Sequence, residues 1–311
     1  MNPDWHGPLF VVGCSRSGTT LLQQILNAHP RVAVAPETHF VPDYWLRAGE
    51  YGHLAREEDF QRLVGDIAAS TYFPDLGLPA EEFRAAAGLA PRTFPAVFGL
   101  LMDLFARSKG ADIVGEKTPL HVRHMLLLKE AFPPARFIHV VRDPRAVVNS
   151  RRRQPWAADG IRENAEFWRE TMGAARRAGR SLGKDLITVR YEDLVGSLAS
   201  TVAALCRDLG VAFEPGMLEY WKVNARLVNT QREPWKSAAL EPPRTDRIDG
   251  WRRELRAEEL GEIEAATWPV LCRYGYRPVT PLLRLLPRAA IGITRRSVSR
   301  WRKAARRKWR R

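Results

Sequence analysis

The stretch Pro8-Leu9-Phe10-Val11-Val12-Gly13-Cys14-Ser15-Arg16-Ser17-Gly18-Thr19-Thr20-Leu21-Leu22 constrains this chain more than any other. Leu9 to Val12 is a short apolar, partly β-branched run behind a proline, which predicts a buried strand. Gly13 to Gly18 is a tight polar loop. From Thr19 the apolar residues recur as Leu21, Leu22, Ile25 and Leu26, which is helical spacing, and the run closes before His29-Pro30. A strand, a glycine-bearing loop and a helix N-terminus in that order make an anion site. Free backbone N–H groups and the positive end of the helix point at one spot.

The same alternation continues along the chain. Val32 to Ala35, Arg136 to Val141 and Leu186 to Val189 read as further strands, and Ile113-Val114-Gly115 as a strand end. Residues 43–110 carry a mostly helical pattern with a break at Tyr72-Phe73-Pro74-Asp75. Within it Tyr44, Trp45, Phe94, Phe98 and Phe105 are expected as core or pocket walls. A helix starts near Pro119 and is stopped by Phe132-Pro133-Pro134. Others are expected from Pro144, across Glu163 to Arg180, after Tyr191 through Leu209 with Glu192 and Asp193 as its cap, and across Arg252 to Tyr276. Strands alternating with helices at these intervals predict an α/β fold, a parallel sheet with helices on both faces. Ligands of such sheets sit at the carboxyl ends of the strands. The loops after Val12, Ala35, Gly115, Val141 and Val189 are therefore expected to face one site.

A length of 311 residues is ample for such a core. The net charge of +14 is uneven, because Arg288 to Arg311 holds eleven Lys or Arg and no acid, leaving 14 − 11 = +3 elsewhere. Residues 1–280 are thus expected as the working domain and 281–311 as a basic appendage. Leu282, Leu283, Leu285, Leu286, Ile291, Ile293, Val298, Trp301 and Trp309 lie in or beside its basic stretch. A helix there would join apolar and cationic groups, as in a segment lying on an anionic membrane surface. A solvated basic end is the alternative. No base-reading motif supports specific nucleic-acid recognition. The three cysteines, Cys14, Cys206 and Cys272, are far apart and form no C-x-x-C pair, so neither a zinc site nor a disulfide framework is expected, and mostly buried thiols are. No run of ~20 apolar residues occurs. No secretory pattern precedes Leu9, so a cytoplasmic location, peripheral at the membrane if the tail binds there, is the expectation.

Gly13 and Gly18 are spaced as in the phosphate-binding loop G-x-x-x-x-G-K-[ST], but Thr19 stands at the lysine position and a cation, Arg16, lies inside the loop. A nucleoside triphosphatase uses that lysine on the β- and γ-phosphates. The loop suits a diphosphate-like group better than γ-phosphoryl transfer. Ser15-Arg16-Ser17-Gly18-Thr19-Thr20-Leu21-Leu22 resembles the 5′-phosphosulfate loop of sulfotransferases that use PAPS (3′-phosphoadenosine 5′-phosphosulfate). Phe137-Ile138-His139-Val140-Val141-Arg142-Asp143-Pro144-Arg145 resembles the 3′-phosphate strand and helix of that family. Ala28-His29-Pro30 through Pro36-Glu37-Thr38 resembles its tyrosylprotein branch. The resemblance covers roughly residues 8–276. It implies a P-loop-like three-layer α/β/α fold, a central, mainly parallel sheet, and helical insertions for the acceptor in residues 40–110 and 152–180.

It also implies roles. Arg16, Ser17, Gly18, Thr19 and Thr20 hold the 5′-phosphate. Arg142 and Ser150, eight residues apart, hold the 3′-phosphate, a task that suits a forked guanidinium and a helix hydroxyl. Tyr191, in Tyr191-Glu192-Asp193-Leu194, lies near the nucleotide. Arg247, and less closely Arg244, belong to a closing loop whose glycine-rich form is absent here. Glu37 is the general base that takes the acceptor proton, with His39 and His121 as rivals. Lys117 and Arg16 carry charge on the transferring group and the leaving oxygen. The implied reaction moves a sulfuryl group from PAPS to a hydroxyl or amine, with no metal. Two alternatives stay open. One is a nucleotide kinase or triphosphatase with an altered loop. The other is a non-enzymatic basic protein that binds membrane or nucleic acid.

Overall fold

The structure, a computed structural model, describes residues 7–222 and 230–281. The appended segment from Leu282 onward, with its expected amphipathic helix, lies outside the described residues. The chain divides into two compact units. The first holds the residues up to Val141 and those from Ala174 to Thr245. The second holds Arg142 to Gly173 and the residues from Asp246 onward.

The whole sheet lies in the first unit. Its strands are β1 (Leu9–Gly13), β2 (Val32–Ala35), β3 (Ile113–Glu116), β4 (Arg136–Val141) and β5 (Leu186–Arg190), in the order β2-β3-β1-β4-β5. Every pairing is parallel, with Leu9 opposite both Gly115 and Arg136, Val32 opposite Ile113, and Phe137 opposite Leu186. The carboxyl ends therefore share one edge, as the alternation predicted. The connection from β1 leads to β2 on one side, and that from β4 leads to β5 on the other. Such a reversal between adjacent strands opens a crevice at their carboxyl ends. Gly115 lets β1 and β3 approach, since a Cβ there would lie 2.5 Å from the Leu9 carbonyl oxygen.

The helices are α1 (Thr19–Asn27), α2 (Phe40–Asp43), α3 (Glu57–Ala68), α4 (Ala80–Leu89), α5 (Phe94–Ser108), α6 (Met125–Ala131), α7 (Pro144–Arg151), α8 (Ile161–Leu182), α9 (Tyr191–Gly196), α10 (Leu198–Leu209), α11 (Trp251–Glu254), α12 (Ala257–Thr267) and α13 (Val270–Arg273). In the first unit, α1 packs on β1 and β2, and α5 on β2 and β3. Phe10 of β1 stacks on Phe137 of β4 with centroids 5.5 Å apart, and Phe98 of α5 stacks on Phe40 at 4.6 Å. Tyr44, Phe94, Phe98 and Phe105 are buried in this core, and Trp45 packs against it. Each such aromatic contributes about 1.5–3 kcal/mol through burial. In the second unit Val148 of α7, Ala165 of α8 and Ile263 of α12 form a small core.

The break expected at residues 72–75 is present as a 3-10 turn, Phe73–Leu76. Several other helix expectations are corrected. Pro119 opens another 3-10 turn, Pro119–Arg123, and the α-helix begins only at Met125, beyond the non-helical His124. The run after Tyr191 is two helices parted at Ser197, and the residue capping the first is Arg190, with Glu192 and Asp193 inside its first turn. The expected last helix, Arg252 to Tyr276, is three. Arg256 is extended and its amide donates to Glu259 Oε2 at 2.9 Å, and Trp268 is extended because the ring of Pro269 disfavours the helical region before it. Cys14 and Cys206 are buried and Cys272 is exposed, and none of the three forms a disulfide. Among the described residues no helix is long and apolar enough to cross a membrane.

Candidate active site

The loop after β1 is shaped by backbone before side chains. Arg16 and Gly18 both adopt left-handed conformations, φ 73° and 97°. Ser17 donates its amide to the Cys14 carbonyl at 3.1 Å, which closes the turn. A Cβ on Gly13 would lie 2.6 Å from the Val140 carbonyl oxygen, and one on Gly18 would lie 2.4 Å from the ring of Tyr191. Tyr191, buried directly after β5, thus packs against the loop. The amides opening α1 have no acceptor within the helix, and Gly18 supplies no side-chain cap. Ser17 is fully buried, and its Oγ has no hydrogen-bond partner among the described residues. An orphaned hydroxyl beside uncapped amides fits a phosphate oxygen. Arg16 is half-buried and donates from Nη2 to the Trp235 carbonyl at 3.0 Å.

Glu37 and Lys117 follow β2 and β3, which are neighbours in the sheet, and they meet. The Lys117 ammonium donates to Glu37 Oε1 at 2.5 Å. Lys236 stands 2.8 Å from the same oxygen and 2.5 Å from Glu233 Oε2. His39 Nε2 lies 3.2 Å from Glu37 Oε2, and its ring stacks on Tyr72 at 4.2 Å. Burial alone would raise the Glu37 carboxyl. The Lys117 charge, the His39 hydrogen bond and the Lys236 charge outweigh it and hold the group well below the ordinary carboxylate range. Burial pushes the Lys117 ammonium down to about 8 against the pull of Glu37. Burial also opposes the Lys236 charge, but Glu37 and Glu233 together raise that group.

Beneath this cluster Glu116, fully buried, fixes the two strand exits. Its Oε1 accepts the Thr38 amide and hydroxyl, each at 3.0 Å, and the Thr118 hydroxyl at 2.5 Å. His121 Nδ1 lies 3.0 Å from Glu116 Oε2, and the ring stands edge-on to Phe10 and Phe98 with no exposed surface. Of the rival histidines, His39 therefore touches Glu37 and His121 is a core residue.

In the second unit Arg142 opens the segment before α7. Its Nη2 donates to the Arg247 carbonyl at 2.8 Å, and its own carbonyl accepts from Trp168 at 3.1 Å. Arg247 thus meets Arg142 through its main chain. Ser150 is half-buried on α7. Asp143 caps α7 and holds Arg145, which also reaches Glu264 at 2.7 Å and lies over the Trp251 ring. Arg145 is committed to packing. Arg244 is exposed.

The residues that sequence reasoning missed are Lys236, Glu233 and Glu116. Lys236 sits 199 positions from Glu37 in a short polar stretch, where a lysine reads as solvated. Glu116 carried a weak signal, a carboxylate inside an otherwise apolar strand end.

Among the described residues no group of three or more His, Cys, Asp or Glu is arranged to hold a metal ion. Residues 8–215 match the model described as the sulfotransferase family. Among curated relatives, the chain is 23% identical to the protein-tyrosine sulfotransferase A of Caenorhabditis elegans, over 87% of this chain and 67% of that one. It is 24% identical to the omega-hydroxy-beta-dihydromenaquinone-9 sulfotransferase of Mycobacterium tuberculosis, over 88% and 76% respectively. Among solved structures, the sulfotransferase domain from the curacin biosynthetic pathway has a TM-score of 0.63 at 20% identity, covering 87% of this chain and 98% of that one. The sulfotransferase domain of the Synechococcus PCC 7002 olefin synthase has a TM-score of 0.58 at 23% identity, covering 89% and 98%. These two likenesses are of fold.

Proposed function

The chain belongs to the sulfotransferase family, and we propose that it moves a sulfuryl group from PAPS to a hydroxyl, with Glu37 as general base. The observation that carries this reading is the meeting of Glu37 and Lys117 at 2.5 Å, at the ends of adjacent strands. The phosphate-type loop is tied to the same cluster, since Arg16 binds Trp235 and the next residue, Lys236, binds Glu37.

PAPS, when bound, supplies the sulfuryl group and a phosphate leaving oxygen. The amides of residues 16–20, with Ser17 and the hydroxyls of Thr19 and Thr20, receive the 5′-phosphate. Glu37 accepts the proton of the acceptor hydroxyl as the new S–O bond forms. Lys117 and Arg16 meet the charge that builds on the leaving oxygen when the old S–O bond breaks. A positioned cation there is worth on the order of 2–4 kcal/mol, by analogy with oxyanion donors. Lys117 suits the task because its ammonium is buried and paired with a carboxylate. Arg142 and Ser150 take the 3′-phosphate, a reading that rests on the resemblance of the stretch Phe137 to Arg145 to the family's 3′-phosphate segment, with the serine eight residues after the arginine. Tyr191 packs the loop, and Arg247 lends its carbonyl to Arg142. Residues 1–280 form the transferase domain. Residues 281–311 are a basic appendage that meets anionic membrane from the cytoplasm.

The relatives named above act on a protein tyrosine and on a hydroxylated menaquinone, both hydroxyls. A groove of about 430 Å³ in residues 43–70, lined by Asp43, Tyr44, Arg47, Tyr51, Arg62 and Asp66 among others, is the candidate acceptor entrance. Glu37→Gln keeps shape and cannot accept a proton. With PAPS and a panel of phenolic and alkyl hydroxyls, it is expected to lower turnover by ~10²-fold or more. Calorimetry should show its affinity for adenosine 3′,5′-bisphosphate nearly unchanged. Full turnover in Glu37→Gln, with loss in His39→Ala, would transfer the role of base to His39.

A further inference from the structure

Glu37 has more cationic partners than a base can use. Its Oε1 accepts from Lys117 at 2.5 Å and faces Lys236 at 2.8 Å, while His39 occupies Oε2. A carboxylate clamped this way is a poor proton acceptor until a cation withdraws. The two lysines differ in where they can go. Lys117 has Glu37 as its one ion-pair partner among the described residues, is buried, and hangs from a backbone fixed by the Lys117 amide on the Ala35 carbonyl at 3.0 Å. Lys236 has a second carboxylate, Glu233, at 2.5 Å.

The segment carrying this pair is pinned on both sides. Arg232 binds the Thr71 carbonyl and Asp75 and lies over the Tyr72 ring, and the Trp235 carbonyl receives Arg16. The charged or titratable groups facing Glu37 are therefore Lys117 from the end of β3, His39 and Tyr72 from the β2 side, and Lys236 and Glu233 from the pinned segment. Arg232 and Asp43 bear on it through Tyr72.

We infer that Glu233 and Lys236 are a positioning pair that governs how strongly Glu37 holds a proton, with Lys236 shared between the two carboxylates. When Lys236 rests on Glu233 its charge stays compensated, and Glu37 is left with one ammonium instead of two. When Lys117 also turns to a bound anion, Glu37 is released as a base. The inference rests on the reading of Glu37 as the base. It assigns Lys236 no contact with substrate.

Two titrations on the full-length protein test it without an acceptor. Carboxyl carbon-13 NMR follows Glu37, identified by the signal lost in Glu37→Gln. Lysine side-chain NMR follows Lys117, whose ammonium titrates at about 8. Lys236→Gln is expected to raise the Glu37 midpoint by about one pH unit or more, and to raise that of Lys117, which then has Glu37 to itself. Glu233→Gln leaves Lys236 wholly on Glu37 and is expected to lower the Lys117 midpoint. In a Lys236→Gln background, Glu233→Gln should lower the Lys117 midpoint less, by the direct Glu233 charge alone. Lys236→Met, which keeps the apolar stem, repeats the first test if the glutamine variant does not fold. The inference is overturned if the Glu37 midpoint ignores Lys236, or if Glu233→Gln shifts Lys117 equally with and without Lys236, as direct attraction alone would. Full turnover in Glu37→Gln would instead overturn the base assignment and leave these midpoints as measured.

Discussion

Replacing Lys117 by methionine probes the electrostatics of the Glu37 cluster directly. The side chain is 1% exposed, and methionine fills similar volume without a polar atom. Burial lowers the ammonium from 10.5 to about 8, even with Glu37 beside it. A lysine whose folded value lies below its unfolded value binds fewer protons in the folded chain over that interval. Stability therefore rises with pH from about 8 to 10.5. Below about 8 the charged lysine costs the fold the full difference, roughly 3 kcal/mol at 1.36 kcal/mol per pH unit. Lys117→Met removes that cost and leaves Glu37 with Lys236 and His39. The variant should be more stable than the parent at neutral pH by about 1–3 kcal/mol, because the lowered Lys117 value already includes the attraction of Glu37. The advantage should fade as pH approaches 10.5. The Cys206 thiol, raised by burial to about 11, and the Tyr51 hydroxyl, raised to about 12, also titrate in alkali but are common to both chains and cancel in the difference. Urea denaturation across this range reads the effect. A stability difference that stays flat with pH would refute the argument. The same variant should lose about 10²–10³-fold in turnover.

Gly18→Ala combines a left-handed backbone, worth about 1–2 kcal/mol, with a Cβ set 2.4 Å from the Tyr191 ring. We expect a total loss of about 2–4 kcal/mol by urea denaturation, reduced in a Tyr191→Ala background; equal losses in both backgrounds would exclude the ring contact as a cause. Arg142→Ala should weaken binding of adenosine 3′,5′-bisphosphate by about 10–100-fold and barely affect adenosine 5′-monophosphate, and calorimetry giving equal losses would remove the 3′-phosphate assignment. A chain ending at Thr280 should keep nucleotide binding and lose sedimentation with anionic vesicles at low salt, at about 1 kcal/mol per engaged Lys or Arg; equal sedimentation of both chains would refute the membrane role of the tail.

The sheet was legible because strands buried on both faces read as continuous apolar runs. Leu9 to Val12 is such a run, Arg136 to Val141 is one but for Arg136 and His139, and β5, with half-exposed Leu186 and Ile187, still showed its β-branched residues. Glu37 and Lys117 could be placed because each follows a strand by one or two positions, and a parallel sheet gathers all such positions on one edge. Lys236 could not, since its place depends on chain closure over 199 residues rather than on any local pattern. The split of the last helix was partly legible in the Trp268-Pro269 pair. The break at Arg256 was not, because an arginine is an unusual residue to open a helix.

The position of β1 also bears on how the chain is made. Its residues Leu9 to Val12 are completely buried, and its partners on the two sides begin only at Ile113 and Arg136. Ribosomal synthesis at ~5–20 residues per second leaves roughly 5–20 seconds between the emergence of Leu9 and that of Gly115 opposite it. During that interval this wholly buried strand of the finished sheet has neither neighbour to pair with. It is an open template for another strand. The central place that gives β1 its rigidity in the finished sheet therefore makes it the segment most in need of a chaperone while the polypeptide is still being extended.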